Sequence, residues 1–116
     1  MEIEITHFII EFWGCESHLL ADPDVIKQAL FSAVERAKLT PLHTYLHTFK
    51  PNGITGVVVL MESHISIHTW PNYQYAALDL FTCGSREDAL AAYLKLKEIL
   101  CPRRVRRREV RRGLSR

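Results

Sequence analysis

Hydrophobic and polar positions change their period several times along the chain, and each change marks an element. Residues 3–13, Ile-Glu-Ile-Thr-His-Phe-Ile-Ile-Glu-Phe-Trp, begin in strict alternation and read as a strand closed by Gly14 and Cys15. Asp22-Pro23 announces a helix, because aspartate caps free amides and proline suits a first turn. Behind it Ile26, Ala29, Leu30, Ala33, Val34 and Ala37 recur at three- and four-residue steps, predicting an amphipathic helix over residues 23–38. Leu42 to Lys50 reads as a second strand, stopped by the turn residues Pro51-Asn52-Gly53. Ile54 to Met61 reads as a third, and its run Val57-Val58-Val59-Leu60 suits a central, covered strand.

The densest stretch is 62–83. Ile65 and Ile67 alternate with His64, Ser66 and His68, so one face of this strand is aliphatic and the other hydrogen-bonding; Trp70 extends the polar row before Pro71 ends it. Tyr75 to Thr82 forms another strand that delivers Cys83 to its end, and Gly84 provides the exit turn. Ser85-Arg86-Glu87-Asp88 resembles a capping box opening a second helix, whose stripe Leu90, Tyr93, Leu94 and Leu100 runs to Pro102. The remaining tail has the pattern of a last strand. The order strand, helix, several strands, helix, strand predicts an α+β two-layer sandwich, a largely antiparallel sheet with two helices on one face.

A chain of 116 residues supports one domain with one modest core. It contains no apolar run of the roughly 20 residues needed to span a bilayer. Its start, Met-Glu-Ile-Glu-Ile, lacks the basic and apolar segments of a signal peptide, which predicts a cytoplasmic protein. Cys15, Cys83 and Cys101 include no Cys-x-x-Cys pair, so the composition argues against a disulfide framework. Each cysteine taken alone reads first as a small buried hydrophobe. Charge is uneven: residues 102–116 hold eight arginines against Glu109, a balance of +7 in a chain of net +2, so the rest carries −5. That basic tail suits either nucleic-acid binding or an edge strand whose charge blocks aggregation; no aromatic is interleaved in it for base stacking.

Several chemistries compete for the polar face of 62–70. His64 and His68 share a face of a strand but stand about 13 Å apart at ~3.3 Å per residue, too far to share a metal ion. Cys83 keeps a zinc site conceivable, although the pattern calls for no metal. Ser63 and His68 are five apart and therefore on opposite faces, which weakens a hydrolase pair. No glycine-rich loop is present for a phosphate. Hydrogen-bonded strand residues in a non-enzymatic α+β binding module are the plain alternative.

At Glu62-Ser63-His64-Ile65-Ser66-Ile67-His68-Thr69-Trp70-Pro71, and at Tyr75-Ala76-Ala77 through Phe81-Thr82-Cys83-Gly84, the chain closely resembles the small prokaryotic S-adenosylmethionine decarboxylase proenzymes. The likeness extends more loosely through His7, Gly14-Cys15, Phe49, Gly53, Gly56 and Arg112-Gly113. It implies self-cleavage between Glu62 and Ser63 into a β chain of residues 1–62 and an α chain of 63–116. Ser63 would become a pyruvoyl group, the self-derived cofactor that forms a Schiff base with the substrate amine. By matching positions, His68 would assist processing, and Thr55, where the family usually has serine, would support it. Cys83 would be the acid that reprotonates the substrate α carbon, while Cys15 and Cys101 keep the buried-hydrophobe reading.

The same likeness makes Phe49 and Trp70 the aromatic pair around an adenine. Asn72 stands where the family usually has the glutamate that holds the ribose, and Gln74 replaces a small residue. The implied activity is decarboxylation of S-adenosylmethionine to the aminopropyl donor for spermidine, with arginine or ornithine decarboxylation by the same machinery as the alternative. The implied assembly is a homodimer or higher of cleaved protomers acting on a small molecule; with no apolar run for a bilayer and no aromatic in the basic tail, neither a membrane nor nucleic acid is the expected partner.

Overall fold

The structure, a computed structural model, describes residues 3–114. Strands β1 (Ile3–Trp13), β2 (Pro41–Thr48), β3 (Ile54–Leu60), β4 (Ser63–Trp70), β5 (Tyr75–Thr82) and β6 (Arg104–Leu114) form one sheet. Its order is β2-β3-β4-β5-β1-β6, and every neighbouring pair is antiparallel. Three helices accompany it: the single turn α1 (Ser17–Leu20), α2 (Pro23–Arg36) and α3 (Arg86–Leu100). None of the described helices is long and apolar enough to cross a membrane.

The alternation read in the sequence sets the layers. Phe8, Ile10 and Phe12 of β1, Ile54, Val58 and Leu60 of β3, Ile65 and Ile67 of β4, and Leu78 and Leu80 of β5 are all buried on one face. They join Ile26, Leu30, Ala33, Ala92 and Leu96 of α2 and α3 in a single core, so both long helices cover the same side of the sheet. The predicted caps are present. Asp22 accepts the Asp24 amide at 2.9 Å and Ser85 accepts the Asp88 amide at 3.1 Å. Helix α1 lies in the stretch between Cys15 and Asp22 for which no element is predicted, because one turn is too short to show a period. It is tied across the fold by Ser17, whose hydroxyl donates to the Pro71 carbonyl at 2.7 Å.

Gly56 lets α2 sit close to the sheet. A Cβ there would lie 3.0 Å from Leu30 Cδ1 and 3.3 Å from Ile67 Cγ2. Gly56→Val is therefore expected to push α2 off β3 and β4 and to lower stability by about 1–3 kcal/mol, read by urea unfolding.

The basic tail forms β6, an edge strand; Ser115 and Arg116 lie outside the described residues. Arg86 of α3 holds it through bonds of 2.8–3.1 Å to both Glu109 carboxylate oxygens, and this pairing keeps the Glu109 carboxyl below its ordinary range. Register places Arg104, Arg106 and Arg108 opposite Trp13, Glu11 and Ile9 on the face of the sheet that no helix covers. The Arg104 guanidinium lies 4.2 Å above the Trp13 ring.

Candidate active site

Two residues, Met61 and Glu62, join β3 to β4, with Leu60 paired to Ser63 across the hairpin. Glu62 takes φ +58, a left-handed conformation that costs a non-glycine residue about 1–2 kcal/mol. The strain thus falls on the residue that carries the Glu62–Ser63 peptide carbonyl. Ser63 is 7% exposed and continues the helix-facing row of Ile65 and Ile67.

Cys83 brackets this peptide bond from the end of β5. Its backbone N–H donates to Ser63 Oγ at 3.0 Å, and its thiol donates to the Glu62 carbonyl oxygen at 2.9 Å. One residue therefore holds both the hydroxyl and the carbonyl of the linkage. A donor on the carbonyl oxygen favours charge developing there, and a donor on Oγ favours a nucleophilic oxygen as its proton leaves. The arrangement suits intramolecular attack of Ser63 on Glu62.

At the far end of β4 lies a second group, on the uncovered face. His68 and Thr55 are cross-strand partners, with Thr55 Oγ1 2.9 Å from His68 Nδ1. They line a cavity of about 320 Å3 together with Phe49, Asn52, Gly53 and Trp70, and both Phe49 and Trp70 are about half exposed. Asn72 sits at its rim on the one-turn 3-10 helix Pro71–Tyr73, and its Oδ1 accepts a bond from Asn52 Nδ2 at 3.1 Å. Gln74 follows in a left-handed conformation, φ +53, and its carbonyl accepts the Cys15 amide at 3.1 Å. Gln74 is thus a backbone element of the β4–β5 connection.

The residues singled out in the sequence fall into two clusters: Glu62, Ser63 and Cys83 at one end of β4, and Phe49, Thr55, His68, Trp70 and Asn72 at the other. Ser63 and His68 occupy opposite faces and lie about 16 Å apart at ~3.3 Å per residue. Within one protomer His68 does not touch Ser63; its hydrogen bond goes to Thr55. His64 shares the uncovered face and stacks on Phe81 at 5.0 Å.

Beside Trp70, a cleft of about 360 Å3 is lined by Glu11, Trp13, Tyr73 and Tyr75. The Tyr75 hydroxyl donates to Glu11 at 2.7 Å, and its pKa is pushed up to about 12 by burial first and then by that bond. Neither Glu11 nor Tyr75 carries a functional signal in the sequence. Alternation places each on a face, but only the pairing of β1 with β5 brings them together. Asn52 likewise carries only a turn signal in the sequence.

The cysteines divide. Cys15 is fully buried and its thiol is pushed up to about 11, mainly by burial. Cys101 departs from the buried reading: it is exposed in a left-handed residue after α3, where its thiol donates to the Glu98 carbonyl at 3.1 Å. The helix ends there, one residue before Pro102, so the side chain leaves the apolar stripe. Among the described residues, no group of three His, Cys, Asp or Glu side chains could hold a metal ion.

The sequence profile of the S-adenosylmethionine decarboxylase family matches residues 6–113. The S-adenosylmethionine decarboxylase proenzyme of Methanococcus maripaludis (strain C5) is 42% identical over 108 residues, covering 93% of this chain and 88% of its own. That of Thermosipho africanus is 44% identical over 99 residues, covering 85% of this chain and 76% of its own. The crystal structure of the adenosylmethionine decarboxylase from Aquifex aeolicus superposes with a TM-score of 0.92 at 32% identity, covering 100% of this chain and 96% of that one. The chain belongs to the S-adenosylmethionine decarboxylase family.

Proposed function

We propose that this decarboxylase cleaves itself between Glu62 and Ser63 and then converts S-adenosylmethionine to decarboxylated S-adenosylmethionine, the aminopropyl donor for spermidine. The observation that carries this reading is the double grip of Cys83 on Ser63 Oγ and the Glu62 carbonyl, at a left-handed residue. Ser63 Oγ adds to the Glu62 carbonyl carbon, the C–N bond breaks and the peptide becomes an ester. Elimination releases residues 1–62, and the dehydroalanine left at position 63 hydrolyses with loss of ammonia. The pyruvoyl group so formed supplies a ketone that takes up the electrons released with carbon dioxide. The residues around position 63 fit it, since Cys83 already supplies a hydrogen-bond donor from its amide and another from its thiol.

After cleavage the Cys83 thiol is free of the Glu62 carbonyl and serves as the acid that reprotonates the substrate α carbon. Phe49 and Trp70 flank the adenine, Asn72 meets the ribose as a neutral amide, and Thr55 and His68 form the polar wall between them. We further propose that one site draws on two protomers. The two clusters sit at opposite ends of β4, and the uncovered face exposes Ile9, Tyr45, Val59 and Trp70. A two-fold axis through that face would lay the Ser63 end of one protomer against the Phe49–His68–Trp70 end of its partner. The protein would act in the cytoplasm, with its cysteines as thiols.

Carbon dioxide release from S-adenosylmethionine, arginine and ornithine tests the substrate. Turnover of S-adenosylmethionine alone is expected; turnover of arginine or ornithine instead would overturn the adenine reading. Trp70→Ala should raise KM for S-adenosylmethionine about 10- to 100-fold, the worth of one stacked base, with a smaller change in kcat.

A further inference from the structure

The helix-facing side of the sheet carries four buried polar side chains: Thr6, Ser63, Thr69 and Thr82. Thr69 is satisfied twice, donating to the Leu20 carbonyl and accepting the Ile54 amide, each at 2.9 Å. Thr82 is the most buried at 1% exposure, and among the described residues its hydroxyl has no hydrogen-bond partner. A bare hydroxyl in a core is costly, and an isosteric valine would avoid the cost.

Its position gives that hydroxyl a task. Thr82 pairs with Thr6 across β1 and β5. The β4–β5 register runs to the His64–Phe81 pair, so Ser63 and Thr82 are the next residues of their strands; both are buried on the helix-facing side, and the Cys83 amide that follows Thr82 reaches Ser63 Oγ. Ser63 Oγ accepts the Cys83 amide, and its own proton goes to no described residue. Both imidazoles of its strand face the other way: His64 stacks on Phe81 and His68 is engaged by Thr55. Facing side chains on neighbouring antiparallel strands have Cβ atoms about 5 Å apart, a spacing that a hydrogen bond between two hydroxyls spans after a change of rotamer.

We propose that Thr82 is a positioning residue for self-cleavage, accepting the Ser63 O–H so that a lone pair of Oγ points at the Glu62 carbonyl carbon. In the step it serves, the Ser63 Oγ–Glu62 C bond forms, the Glu62–Ser63 C–N bond breaks, and the serine proton ends on the position-63 nitrogen. Thr82 orients that proton and does not keep it.

This inference rests on the self-cleavage reading, and the experiment separates the two. Newly synthesised wild-type, Thr82→Val and Thr82→Ser chains are followed by intact mass over time. Unfolding temperatures are compared for two uncleavable proteins, Ser63→Ala and Ser63→Ala/Thr82→Val. Thr82→Val is expected to cleave about tenfold or more slowly, the effect of one lost hydrogen bond, while Thr82→Ser stays near the wild-type rate. The double variant should unfold no lower than Ser63→Ala. Cleavage of Thr82→Val at the wild-type rate overturns the role of Thr82 alone, as does equal slowing in Thr82→Ser or a lowered unfolding temperature. A wild-type chain that stays whole overturns both readings.

Discussion

Ser63→Ala is expected to leave the protein as one uncut chain and to abolish decarboxylation. The side-chain oxygen at position 63 is both the nucleophile of cleavage and the source of the ketone, so no other residue substitutes for it. The fold should survive. The substitution removes one acceptor, and the Cys83 amide it leaves bare is only part-buried, so the stability cost is about 1 kcal/mol. Intact mass, circular dichroism and carbon dioxide release on the same sample separate these effects. Full turnover by the alanine protein would contradict the mechanism.

Cys83→Ala is expected to separate the two reactions. Its backbone amide still donates to Ser63 Oγ, so the nucleophile stays in place. The thiol contact to the Glu62 carbonyl is lost, and cleavage should slow about tenfold yet run to completion. Decarboxylation per cleaved chain should fall by about 10²–10⁴, the usual range for a missing general acid. Cys83→Ser keeps a donor at the carbonyl and should restore much of the cleavage rate. Unchanged decarboxylation per cleaved chain in Cys83→Ala would mean that Cys83 acts in processing alone.

Much of this was legible along the chain because local rules decide it. The alternation of Ile65 and Ile67 with His64, Ser66 and His68 became the burial pattern of β4, and Asp22 and Ser85 cap the two long helices. The arginine-rich tail is an edge strand, one of the two readings its charge and lack of aromatics allow. The rest depends on distant pairing. Nothing local places β1 between β5 and β6, and so nothing local joins Glu11 to Tyr75. The grip of Cys83 on both sides of the Glu62–Ser63 bond needs the β4–β5 register and a left-handed Glu62, neither of which has a sequence signal. A resemblance points to Ser63, His68 and Cys83 as a set, whereas the fold puts His68 a strand's length from the other two.

The most direct test of this account is the intact mass of the purified protein before and after a carbonyl reagent such as hydroxylamine or borohydride. Two chains are predicted, one ending at Glu62 and one beginning at position 63, with only the second gaining mass from the reagent. A single chain of 116 residues, unreactive and unchanged on long incubation, would contradict the central claim.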